Sequence, residues 1–211
     1  ARTRYDAVAR FFRAYFYFDM VKRFGDVPWY SEVISDKDWD KLQAPRTPRT
    51  VVLDSVMADI NYAIDHLPEV KTVNEISRWT ALALKSRICL FEGTFRKYHT
   101  EFKLPEYEAF LDNAIAASKE LIERSGYKLY NTGHPESDYL NLFASLNANE
   151  DEIILARAFS DELQVYHNLN YYTMTASYGR PGLEKRLVNS YLMRDGSRFT
   201  DIAGYDKMEF Y

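Results

Sequence analysis

A mostly α-helical fold with an irregular final third is predicted by three observations. Apolar residues recur at three- and four-residue spacing through four long stretches between Arg4 and Ser125. Helix start and stop residues bracket those stretches, and beyond about Asp138 both the spacing and the brackets give way. The third observation is the density of rings in Ala9–Trp29, where Phe11, Phe12, Tyr15, Phe16, Tyr17 and Phe18 fall within eight positions. That segment is too polar to cross a bilayer and too aromatic for a solvated helix. It is expected to be gripped on more than one side by other helices.

The elements follow in order. The first helix is expected over Arg4–Phe24, with Gly25 as a left-handed terminator and Pro28 blocking resumption. Ser31–Arg46 is polar and turn-rich, a long loop. Thr47 and Pro48 are expected as N-cap and first residue of a second helix, whose Leu53, Val56, Ile60, Ala63, Ile64 and Leu67 keep helical spacing. A third helix spans Ser77–Tyr98, with Ser77 as N-cap and Ala81, Leu84, Ile88, Phe91 and Phe95 on one face. A fourth spans Pro105–Ser125 and stops at Gly126. Ala81, Ala83, Ala114, Ala116 and Ala117 would let these last two approach closely. Beyond them we expect a short helix over Tyr139–Leu146, a strand over Glu152–Phe159 and a short helix over Gly182–Met193 ending at Asp195-Gly196. The chain ends at Tyr211 with no closing element in the pattern.

Long helices in pairs suggest a tetratricopeptide-like scaffold with irregular loops and one or two short strands in the C-terminal third. The helix starts are unevenly spaced and the repeat consensus is absent, so the pattern by itself gives an α-helical layer. The expected organisation is a helical scaffold over 1–144 and an irregular ligand-binding segment over 145–211 packed on the helices.

Composition removes several function classes. At 211 residues, with 46% hydrophobic and 27% charged residues, the chain can bury a real core. Tyr 17, Phe 13 and Trp 3 are unusually many, and burial tendencies put roughly two thirds of such rings in the core. A net charge of −4 with no basic stripe argues against nucleic acid. No apolar run is long enough for a transmembrane helix. The chain begins at Ala1 already in helical pattern, and a targeting segment is expected upstream. The lone Cys89 sits in an apolar helical pattern and is expected to be a small buried hydrophobe. His66, His99, His134 and His167 are scattered, without zinc-ligand spacing. Asp36, Asp38 and Asp40 superficially match a calcium loop, but Lys41 and Thr47 stand where an EF-hand needs Gly and Glu. No phosphate-binding glycine loop or nucleophile elbow occurs. With 31 acidic residues a glycosidase pair can always be named, which is no positive sign of one. No enzyme, metal or cofactor is expected.

The loop Asp161–Pro181 carries the most ligand-like composition. Tyr166, His167, Asn168, Asn170, Tyr171, Tyr172 and Tyr178 gather flat faces and amides within 13 positions. Sugars offer an apolar CH face and a ring of hydroxyls, which aromatic platforms and amides match. The competing reading has these tyrosines folded back onto the helices. Trp39, a ring in a polar loop, is a second candidate platform and is expected to be more exposed than Trp79.

Several segments, in order, resemble the SusD/RagB family. They are Ala9–Pro28, with Arg13-Ala14-Tyr15-Phe16 leading to Phe24-Gly25-Asp26-Val27-Pro28; Val56–Pro68, ending in Leu-Pro; and Ser77–Tyr98, with Arg78, Ala81, Ala83, Leu84, Arg87, Leu90 and Gly93. Ala114–Tyr130, Asn149–Ala156 and Leu187–Gly196 follow. The resemblance implies four tetratricopeptide-like helix pairs overlaid by ligand-binding segments, and a lipid-anchored protein at the outer-membrane surface of Bacteroidetes-type bacteria. Such proteins lid a SusC-like TonB-dependent transporter and capture glycans or other nutrients without cleaving them. The lipobox cysteine, the first helices and a large C-terminal part are expected outside this chain. Because family members often bind ligand after the equivalent of Ile153–Phe159, the resemblance puts the site in the loop that follows. The alternative is a helical-repeat module for protein–protein interaction, using a groove between helices.

Overall fold

The computed structural model describes residues 2–178 and 182–205. The chain forms two compact units divided between Ala158 and Phe159.

In the first unit, α1 (Arg2–Phe24) buries one stripe, Ala7, Phe11, Ala14, Tyr17, Phe18 and Val21. Phe12, Tyr15 and Phe16 point away from it and are about half exposed. The expectation of a helix gripped on several sides is thus corrected: within this chain α1 packs on one face, mainly against α3. Gly25 ends it at φ +69°, its N–H donating to the Val21 carbonyl at 3.0 Å. The loop that follows contains a single helical turn, α2 (Trp39–Leu42).

Helix α3 (Arg49–His66) starts after Pro48, not after Thr47. Thr47 instead forms an isolated bridge with Val27, and its Oγ1 accepts from the Trp29 N–H. The cap comes from across the loop, where Asp26 Oδ1 accepts the Arg49 N–H at 2.8 Å. Local sequence could not show that, because the capping side chain lies 23 residues upstream.

Helix α4 (Arg78–Tyr98) carries the expected Ser77 cap, closed as a box with Thr80. Helix α5 (Tyr107–Arg124) starts two residues later than expected. The Pro105 carbonyl is held by Arg96 Nη1 at 2.7 Å, and Glu106 turns left-handed at φ +64°. The α4–α5 seam is close at Gly93. A Cβ on Gly93 would stand 2.7 Å from Leu111 Cδ2 and 3.1 Å from the Tyr107 carbonyl oxygen, so glycine is required there. Ser86 and Ser118 hydroxyls hydrogen-bond across the same seam at 2.7 Å. Of the small residues expected to line it, Ala81, Ala114 and Ala117 are buried and Ala116 is exposed.

The pairs α1/α3 and α4/α5, joined where α3 meets α4, make a tetratricopeptide-like paired-helix layer. Its core includes Leu53, Ile60 and Ile88, all fully buried. Burial of each such side chain stabilises the fold by about 1.5–3 kcal/mol.

Helix α6 (Pro135–Ala144) begins before the expected Tyr139, with Pro at its first position. The strand expected over Glu152–Phe159 does not form. Its backbone makes a single bond to the linker before α4, Ala156 N–H to the Val73 carbonyl at 2.7 Å, and gains no ladder. The described residues contain only isolated bridges.

The second unit holds α7 (Leu169–Met174), α8 (Lys185–Val188) and a turn in which Gly196, at φ +84°, lets Leu192 bridge Arg198. The helix expected over Gly182–Met193 shrinks to the one turn of α8. Gly179–Pro181 of the candidate loop and the chain end at Tyr211 lie outside the described residues. No described residue of this unit is buried.

One further expectation is corrected. Among the described residues, the rings of Phe11, Tyr17, Phe18 and Trp79 are buried, while many others, including Phe12, Trp39, Tyr98, Phe102 and Tyr166, are more than half exposed. Two thirds in the core was too many.

Candidate functional site

The candidate loop opens with a tight turn. Ser160 and Val165 exchange backbone hydrogen bonds at 3.0 Å, and Gln164 takes φ +53° to close it. His167 then stands edge-on to Phe159 at 5.1 Å between ring centroids, its Nδ1 accepting from the Leu169 N–H at 3.3 Å. Asn168 occupies the N-cap of α7 without using its side chain as a cap. On α7 itself Tyr171 and Tyr172 are neighbours, and the chain returns to bring Tyr178 against both. Ring centroids lie 4.9 Å apart for Tyr171–Tyr178, 5.4 Å for Tyr172–Tyr178 and 5.6 Å for Tyr171–Tyr172, in tilted or edge-to-face geometry. The Tyr171 hydroxyl donates to the Tyr178 hydroxyl at 3.2 Å, and this bond holds the Tyr171 hydroxyl above the usual tyrosine pKa.

The three rings are 53%, 52% and 41% exposed, so they pack on one another and keep open faces. Of the residues singled out in the sequence, the structure brings Tyr171, Tyr172 and Tyr178 together. Asn170 shares the helix, its carbonyl accepting from Thr173 Oγ1. Tyr166 is exposed and outside the ring cluster. Trp39 belongs to the first unit and is 67% exposed, against 4% for Trp79. Chemically, the tyrosine cluster offers flat apolar faces rimmed by hydroxyls, a surface suited to stacking and hydrogen bonding.

Sequence reasoning missed the buried ionic groups. Glu92 on α4, almost fully buried, accepts from Arg49 through a close multidentate contact and from Arg96 Nε at 2.8 Å. Arg49 lies over the Phe95 ring and Arg96 over Phe110. Asp59 on α3, 2% exposed, receives a fork from Arg13 at 2.6 and 2.7 Å, which raises the Arg13 pKa, with Arg10 3.7 Å away. Carboxylates falling on the apolar stripes of α3 and α4 were the available signal. A groove of about 860 Å³ also escaped notice, lined by Phe12, Tyr15, Lys22, Arg87 and Ile154 among others. Cys89 is fully buried against Met57, and burial pushes its thiol up to about 11. Among the described residues no group of three or more metal-ligating side chains gathers, and no helix is long and apolar enough to cross a membrane.

The fold defines a class: a tetratricopeptide-like helical layer in the first unit, with an exposed tyrosine cluster in the second. Residues 2–90 match the SusD-like family described as "Starch-binding associating with outer membrane". A SusD-like protein of Bacteroides ovatus is 27% identical over 156 residues, 74% of this chain and 26% of that protein. SusD-like protein P2 of Formosa agariphila is 33% identical over 93 residues, 43% of this chain and 18% of its own length. A solved SusD-like protein from Bacteroides fragilis superposes with a TM-score of 0.66 at 25% identity, over 93% of this chain and 37% of that one. The chain therefore spans well under half the length of these relatives. Together the findings show that this chain is similar to SusD-like proteins in sequence and in fold.

Proposed function

We propose that this chain belongs to a cell-surface protein that captures glycan, as oligosaccharide or polysaccharide, without cleaving it. In the same proposal the full-length protein is lipid-anchored at the outer membrane and hands its ligand to a SusC-like TonB-dependent transporter. The observation that carries this reading is the match of residues 2–90 to a family described as starch-binding and associated with the outer membrane.

The ligand-contacting residues proposed are Tyr166, His167, Asn168, Asn170, Tyr171, Tyr172 and Trp39, within a binding segment over 145–211 and the loop of α2. The half-exposed tyrosine cluster supports this placement. Rings would stack on sugar faces, and amides would select hydroxyl geometry. Each hydrogen bond in such a wet, shallow site adds a net of about 0.5–1.5 kcal/mol, so affinity would be modest. Release at the mouth of a tethered transporter would raise the effective ligand concentration there.

The test is a titration of the chain against soluble starch, xylan, laminarin and pectin, with chromatography for released sugar. Binding without release, weakened by Tyr171→Ala or Tyr172→Ala, is the expected result. Release of sugar would overturn the reading in favour of a hydrolase. Loss of glycan binding on substituting groove residues between helices, with the tyrosines silent, would move the glycan site to the helical layer, and no binding to any of the four glycans would favour a protein-interaction module.

A further inference from the structure

We propose that Tyr30 and Arg13 are positioning residues for Trp39. They hold the Ser31–Arg46 loop so that the Trp39 indole stands out as a fixed stacking platform for the apolar face of a hexose ring. This deepens the glycan-capture reading and rests on it for the ligand.

The start of the loop is tied to buried groups, and its middle is tied back to that start. At its start, the third nitrogen of the Arg13 guanidinium donates to the Ser31 carbonyl at 2.9 Å, while the other two grip Asp59. Asp59 is 2% exposed, so the fork is anchored in the core. The next tie is Tyr30, whose N–H donates to the buried Tyr17 hydroxyl at 2.9 Å. From that fixed point the Tyr30 hydroxyl crosses the loop and donates to the Lys41 carbonyl at 2.6 Å. Lys41 lies on the one turn of α2 that also carries Trp39, and its ammonium pairs with Glu32 at 2.6 Å.

The result is unusual for a polar surface loop. Its one large ring is 67% exposed and has no ring partner among the described residues, while the backbone beside it is cross-braced to the core. Exposing an indole has a hydrophobic cost, and ordering the loop an entropic one. A ligand recovers both: the ring is covered, and little freedom remains to be lost on binding. The chemistry fits a sugar face, because a single aromatic plane in polar surroundings favours a ligand with one CH face and hydroxyls at its edge.

The test uses the intact chain, with soluble starch, xylan and laminarin titrated separately. Relaxation of the Trp39 indole N–H, assigned through Trp39→Phe, reports whether the ring is held. Tyr30→Phe deletes only the hydroxyl bond. It is expected to lower the indole order parameter and weaken glycan binding about 3- to 10-fold while the fold persists. In the Trp39→Phe background the same change is expected to have no further effect on binding. Arg13→Lys, which keeps the charge on Asp59 but removes the fork, is expected to act in the same direction. An indole order parameter unchanged in Tyr30→Phe overturns the proposal. So does an affinity loss that persists in full without Trp39. If none of the three glycans binds the wild type, the glycan reading fails and the relaxation result still decides the positioning.

Discussion

The two units of this chain differ in what their aromatic residues can be buried against. In the first, some rings close seams while others, such as Phe12 and Trp39, face outward: Phe11, Tyr17, Phe18 and Trp79 are buried, and Phe95 and Phe110 cover the guanidinium groups that grip Glu92. In the second, no described residue is buried, and Tyr171, Tyr172 and Tyr178 lean on one another with open faces. The same side chain is mortar in one place and surface in the other. What separates them is company. Helix seams surround a ring with apolar stripes, whereas the described elements after Phe159 are short and bury no residue. Burial, and with it most of the stability, therefore resides in the first unit.

That contrast can be broken or sharpened by substitution. The largest effect is expected from Glu92→Ala, which leaves Arg49 and Arg96 buried without their carboxylate. A loss of about 3–5 kcal/mol in denaturant unfolding is expected, and a shift below 1 kcal/mol would show that the seam is held by apolar packing alone. Gly93→Ala comes next. The added methyl must displace Leu111 and press on the Tyr107 carbonyl, so about 1–3 kcal/mol should be lost, even though alanine favours helix by about 1 kcal/mol. Ser77→Ala removes the cap of α4 and should cost about 1 kcal/mol, read from the thermal midpoint. In the second unit, Tyr172→Ala should leave the unfolding midpoint where it is, because the ring lies outside any core. A midpoint that falls as far as in Gly93→Ala would erase the distinction between the units.

The smallest effect concerns protons. The hydroxyl bond to Tyr178 raises the Tyr171 pKa above its ordinary value near 10. A raised folded-state pKa means the contribution is complete below that ordinary value and disappears as pH rises through the folded one. Tyr178→Phe should bring Tyr171 back toward ordinary titration, visible in phenolate absorbance. An unchanged curve would mean the two hydroxyls are not bonded in solution.

Much of the first unit was legible because its determinants are local. Ser77 with Thr80, Gly25 and Gly126 mark helix ends within a turn of where they act, and the apolar stripes of α3 and α4 keep their period. What escaped acts at a distance. The Asp26 cap on α3, the Arg13 fork on Asp59 and the Arg49–Glu92–Arg96 group join residues that only the folded chain makes neighbours. The misread strand has the same origin: an apolar run at Ile153–Leu155 does not say whether a partner strand exists. The outward rings of α1 were overread because density was taken for burial, while helical geometry turns Phe12, Tyr15 and Phe16 off the packed stripe. In the candidate site, the residue types could be named from composition. The return of Tyr178 onto α7 could not, since it depends on the turn that follows Met174.

The buried thiol of Cys89 has a practical consequence. A sulfur that is fully enclosed and keeps its proton to about pH 11 is silent toward maleimides and iodoacetamides under ordinary conditions. The chain can therefore accept a dye or spin label at a cysteine introduced beside the tyrosine cluster, at the exposed Ser177 for instance, without first removing its own. Reporter chemistry beside the proposed binding residues is available on an otherwise native background.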